Sequence, residues 1–172
     1  MSNRFSAADL VVGQVAAERP EQPFTAAFQK ARAPMLIADA RAADNPILFV
    51  NDAFLELTGY TREEIVGRNC RFLQGPGTDQ AVVSRIAAAI AAGERIETEI
   101  FNYRKDGTPF WNALLISPVR DGTGRLLYFV GSQADIGERK EAAARFAAAE
   151  ERLERVASEL QSALDRKTAL LH

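Results

Sequence analysis

The chain has 172 residues, 47% of them apolar and 26% charged, which suits one globular domain with extra elements and excludes wholesale disorder. A net charge of −2 supplies no Lys/Arg excess to neutralise phosphates, so no nucleic-acid partner is expected. A single cysteine, Cys70, and a single histidine, the terminal His172, exclude an internal disulfide, a thiolate metal cluster and a histidine-based hydrolase, so neither an enzyme nor a metal protein is expected.

Residues 1–33 read as an N-terminal helical extension. Pro20 and Pro23 interrupt it, and Phe24, Ala27, Phe28 and Ala31 then recur at helical spacing. The first 22 residues lack a basic start and a clean cleavage site, and apolar runs such as Ile86–Ala92 are too short to cross a bilayer. A cytoplasmic protein without a membrane partner is expected. Met35–Ala40 and Ile47–Val50 read as strands around the turn Asp44-Asn45-Pro46. Ala53–Leu57 and Glu63–Val66 read as short helices, the second opened by a capping box of Thr61 and Glu64. Thr78 or Asp79 caps a longer helix that runs through Ala92 to Gly93. Three strands follow at Ile96–Arg104, Thr108–Val119 and Arg125–Asp135, joined by Asp106-Gly107 and Asp121-Gly122-Thr123-Gly124. The order predicts an α+β domain over 34–136, an antiparallel sheet with its helices grouped on one face.

Strand alternation places Ile100, Asn102, Phe110, Asn112, Leu114, Ile116, Phe129, Gly131 and Gln133 on one face. Three amides on an apolar surface either sit solvated at strand ends or share a polar object. A planar heteroaromatic ligand would satisfy them, because an amide both donates and accepts. The opposite face carries Phe101, Tyr103, Trp111, Leu115, Leu126, Tyr128 and Val130, too apolar to stay bare. Terminal helices, a second chain, or both are expected to cover it.

Residues 67–74, Gly-Arg-Asn-Cys-Arg-Phe-Leu-Gln, resemble the signature of LOV (light-oxygen-voltage) domains, the flavin-binding blue-light sensors of the PAS superfamily. The resemblance runs from about Pro34 to Asp135. It includes Asn45-Pro46-Ile47, Phe54-Leu55, Leu57-Thr58, Asn102-Tyr103, Phe110-Trp111-Asn112 and Gly131-x-Gln133. It implies a five-stranded antiparallel PAS sheet with flanking terminal helices, and a blue-light photoreceptor. Cys70 would be the thiol that bonds flavin C4a reversibly, and Gln133 the amide that reorients beside N5 and O4. Asn69 and Gln74 would meet the flavin edge, and Asn102 and Asn112 the pyrimidine edge. Arg71 would hold the FMN phosphate, while Leu36, Ile47, Leu73, Leu114, Ile116 and Phe129 would wall the pocket. FMN is the expected cofactor, with riboflavin or FAD as alternatives. Many family members carry a second phosphate arginine where this chain has Ala87. Arg85 lies two residues away, about 200° around a helix, so phosphate recognition is expected to be weak.

From Gly137 onward seven acidic residues balance seven basic ones, and Phe146 is the one aromatic. Phe146, Ala149, Leu153, Val156, Leu160, Ala163, Lys167 and Leu170 step by three and four. Residues 137–172 are therefore read as an amphipathic helical extension that either folds back on its own domain or packs between chains. A light-dependent homodimer is expected, with the downstream partner open. The alternatives are a flavin redox sensor, or a PAS interaction module without photochemistry.

Overall fold

The computed structural model describes residues 23–169. The expectations on the first 22 residues and on Leu170 and His172 lie outside them. Among the described residues no helix is long and apolar enough to cross a membrane. The chain divides into two compact units, one ending at Asp135 and one beginning at Ile136.

The first unit opens with α1 (Pro23–Lys30), then β1 (Met35–Asp39) and β2 (Ile47–Val50). Helices α2 (Asp52–Thr58) and α3 (Arg62–Ile65), a 3₁₀ turn (Cys70–Leu73) and α4 (Gln80–Ala92) follow. Strands β3 (Ile96–Tyr103), β4 (Pro109–Arg120) and β5 (Leu126–Asp135) complete it. The sheet has five strands in the order β2-β1-β5-β4-β3, every pair antiparallel. The last strand thus lies between the first strand and β4.

Local chemistry sets the helix ends. Asn51 caps α2 by accepting from Phe54 N–H, and Gly59 ends it at φ 76°. Thr61 and Glu64 form the predicted capping box of α3. Asp79, one of the two expected residues, caps α4, which Gly93 stops in the left-handed region. The core joins Leu36, Ala38, Ile47, Val50, Phe54, Ile65 and Leu73, all buried.

A terminal helix covers part of the apolar outer face, as expected, and a loop covers another part. At the β2 edge, α1 lays Phe28 edge-on against Phe49, ring centroids 5.2 Å apart. At the β3 edge the loop after the 3₁₀ turn supplies cover. Residues 75–78 wrap around the edge strand, where Gly77 N–H donates to the Tyr103 hydroxyl at 2.8 Å. Thr78 Oγ1 donates to Phe101 O at 2.6 Å and accepts from Gly75 N–H at 2.9 Å. Between these edges Trp111 remains 38% exposed.

The close approach explains Gly75, since a Cβ there would overlap the Tyr103 ring. Gly75→Ala is expected to cost about 1–3 kcal/mol in urea unfolding. The penalty should shrink when Tyr103 is also replaced by Ala; strictly additive losses would rule out this contact as its cause.

The second unit contains α5 (Gly137–Ala169), one continuous helix of 33 residues. Phe146, Leu153, Val156 and Leu160 of the predicted seam are all exposed, between 44% and 74%. Arg145–Glu141 and Arg155–Glu151 are i,i+4 ion pairs on its surface.

Candidate functional site

The inner face of the sheet, the 3₁₀ turn and α4 border a cavity of about 380 Å³, a size typical of ligand sites. The thirteen residues assigned from sequence all line it: Leu36, Ile47, Asn69, Cys70, Arg71, Leu73, Gln74, Asn102, Asn112, Leu114, Ile116, Phe129 and Gln133. The α4 wall brings Val83, Ile86, Ile90 and Ala91 to the site beside Ala87, none of the four marked by the family signature. Its i, i+3, i+4, i+7, i+8 spacing identifies an apolar helix face but not what that face meets. Gly131 keeps the floor open, because a Cβ there would lie 3.1 Å from Leu36 Cγ.

The three amides form one chain. Asn112 Nδ2 donates to Asn102 Oδ1 at 3.0 Å and to Gln133 Oε1 at 3.3 Å. Asn102 Nδ2 donates to Phe101 O at 3.3 Å. Asn102, Asn112 and Gln133 are all buried, so the solvated-strand-end alternative fails. Two atoms of the chain stay unsatisfied: Asn112 Oδ1, an acceptor, and Gln133 Nε2, a donor. Each such atom costs about 1–3 kcal/mol when buried unpaired.

Cys70 opens the 3₁₀ turn and faces the cavity. Burial pushes its thiol up to about 12, and the neighbouring Gln133 amide offsets part of the rise. At neutral pH this sulfur therefore keeps its proton. Asn69 positions the turn: its Oδ1 accepts from Arg71 N–H at 2.9 Å, and its Nδ2 donates to Asp44 O at 2.6 Å. The Arg71 guanidinium grips Asp44 with both terminal nitrogens, Nη1 to Oδ2 at 2.8 Å and Nη2 to Oδ1 at 2.5 Å. Arg85, as anticipated, is turned elsewhere and donates to Thr98 Oγ1 at 2.8 Å.

A PAS domain family model matches residues 33–138. The LOV domain of a blue-light activated histidine kinase from Erythrobacter litoralis is 48% identical, with a TM-score of 0.61, covering 63% of this chain and 99% of that one. The chain belongs to the PAS family and carries a LOV domain. The structure of an RNA-binding light-oxygen-voltage receptor is 37% identical with a TM-score of 0.68, over 90% of this chain and 41% of that one. A blue-light-activated histidine kinase of Brucella anthropi is 54% identical over 114 residues, 66% of this chain and 23% of its own length. That of Brucella abortus strain 2308 is 52% identical over 124 residues, 72% of this chain and 25% of its own. The chain spans about a quarter of the length of these curated relatives. The LOV domain thus supplies the common part, and the cavity with its amide chain lies within it.

Proposed function

We propose that the LOV domain binds a flavin in this cavity, FMN or its close relatives, and acts as a blue-light sensor. The observation that carries the reading is the pair of unsatisfied atoms, Asn112 Oδ1 and Gln133 Nε2, on the cavity floor. The pyrimidine edge of a flavin offers an N–H flanked by carbonyl oxygens, so it would donate to the first and accept from the second. The fit extends to the apolar walls and to Cys70, which stands beside Gln133.

A bound flavin absorbs blue light and in its excited state becomes reactive towards a thiol at C4a. With a flavin held there, Cys70 would be the residue able to supply both parts of such an addition, a sulfur for the new bond and a retained proton for N5. Gln133 would be the amide that turns, since a flavin nitrogen that gained a proton would face it as a donor instead of an acceptor. One such exchange is worth about 1 kcal/mol, enough to bias a balanced contact without unfolding a domain. β5, which carries Gln133, ends at Asp135, and α5 begins at Gly137. The exposed heptad stripe of α5 suits a second copy of the same helix, so we assign dimerisation to it and light control of the dimer to Gln133. No nucleic-acid partner is proposed, because 21 Lys and Arg against 23 Asp and Glu leave no net positive excess to neutralise phosphates.

The test is optical. The purified protein should be yellow, bleach under blue light and recover in the dark. A colourless protein would favour the interaction module, and a yellow one that never bleaches would favour the redox sensor. Gln133→Leu should still bleach, but its light-induced change in α5 hydrogen exchange should fall well below that of the wild type. Equal changes in both would remove Gln133 from the signalling route.

A further inference from the structure

The Arg71–Asp44 ion pair bears on which flavin this cavity prefers. The inference rests on the flavin reading above. Among the described residues that line the cavity, Arg71 is the one charged side chain. Both of its terminal nitrogens are held by Asp44, at 2.8 and 2.5 Å, in the two-pronged geometry that matches a guanidinium to a carboxylate. Arg85 is committed to Thr98, and Ala87 and Ala91 present only methyl groups on the α4 wall.

The Asp44 backbone is held in its turn. It lies at φ 68° and that of Asn45 at φ 45°, left-handed conformations in which Asn and Asp are enriched. Its carbonyl oxygen accepts from Asn69 Nδ2, so the residue before Cys70 anchors the same turn. A ligand tail with a terminal phosphate therefore meets a cation already paired, with a carboxylate beside it. A neutral ribityl tail loses nothing at the same place. We propose that Asp44 is a specificity-determining residue that makes the site accept riboflavin nearly as well as FMN.

Apoprotein titrated with riboflavin and with FMN, followed by flavin fluorescence, tests this. The wild type should bind the two within about fivefold of each other, because the phosphate gains little from a paired, solvent-exposed cation. Asp44→Asn keeps a residue suited to the left-handed turn but frees Arg71. It should raise FMN affinity about five- to tenfold while leaving riboflavin affinity unchanged, the size of one removed charge contact near the surface. If riboflavin binding also collapses in that variant, Ala87→Arg decides: it should shift the ratio towards FMN. A wild-type FMN preference above about fiftyfold, or a ratio that neither variant moves, overturns the inference. Failure of the wild type to bind either flavin overturns the chromophore reading instead.

Discussion

Cys70→Ala is expected to leave a yellow protein whose absorbance no longer changes under blue light. The amide chain of Asn102, Asn112 and Gln133 and the apolar walls would hold the ring, and none of them depends on the sulfur for its position. Binding should weaken by no more than a few-fold, the cost of a small void. The light response should vanish altogether, since no second cysteine exists in the chain. The raised thiol adds a discriminating condition. With its titration at about 12, the thiolate fraction at pH 9 is about one part in a thousand. Bleaching in the wild type should therefore be flat from about pH 6 to 9, whereas an ordinary thiolate nucleophile would gain steeply over that range. Bleaching that persists in Cys70→Ala, or that climbs with pH, would defeat a protonated Cys70 as the reacting group.

What could be read ahead of the structure depended on how far apart the interacting residues lie. The capping box of Thr61 and Glu64 spans three positions and was legible as such. The amide face needed only strand alternation and the antiparallel register that short hairpin turns impose. Asn112 accordingly pairs with Ile100, and Leu114 with both Thr98 and Gln133. The 3₁₀ turn at Cys70–Leu73 has no period long enough to detect, and only the family signature marked it. Tyr103 was read as an outer-face hydrophobe because alternation puts it there. Its hydroxyl contact with Gly77 requires a loop 26 positions away to fold round an unpaired strand edge. Asp44 looked like a turn residue and is one, but its grip on Arg71 crosses 27 positions. Asn69 and Arg71 do line the cavity, yet each also holds the turn at Asp44, a structural duty that a list of cofactor contacts leaves out.

Asn51 is the largest omission of that kind, and its loss should have the largest effect on stability. It stands between β2 and α2, and its side chain is fully buried. Oδ1 accepts from Met35 N–H at 2.9 Å and from Phe54 N–H at 3.1 Å, tying β1 to the start of α2. Nδ2 faces the carbonyls of Phe28 and Ala31, each at 3.3 Å, and of Ala33 at 2.8 Å, which hold the end of α1 and the segment entering β1. Asn51→Ala removes a helix cap worth about 1 kcal/mol and strands several buried backbone groups. A loss of about 3 kcal/mol is expected in urea unfolding, a large share of a typical domain's 5–15 kcal/mol. Asn51→Asp separates the two sides of the residue. It keeps the acceptor for Met35 and Phe54 but turns a carboxylate towards three carbonyl oxygens, so the folded protein favours the protonated form. The carboxyl would then titrate higher in the folded state than in the unfolded chain, where it ionises near pH 4. Its stability relative to wild type should be best below about pH 4 and fall as the pH rises through the folded-state value. A pH-independent difference between Asn51→Asp and wild type would mean that the donor side of Asn51 holds nothing, and that α1 is retained by Phe28 against Phe49 and by Gln29 and Lys30 on Asp52.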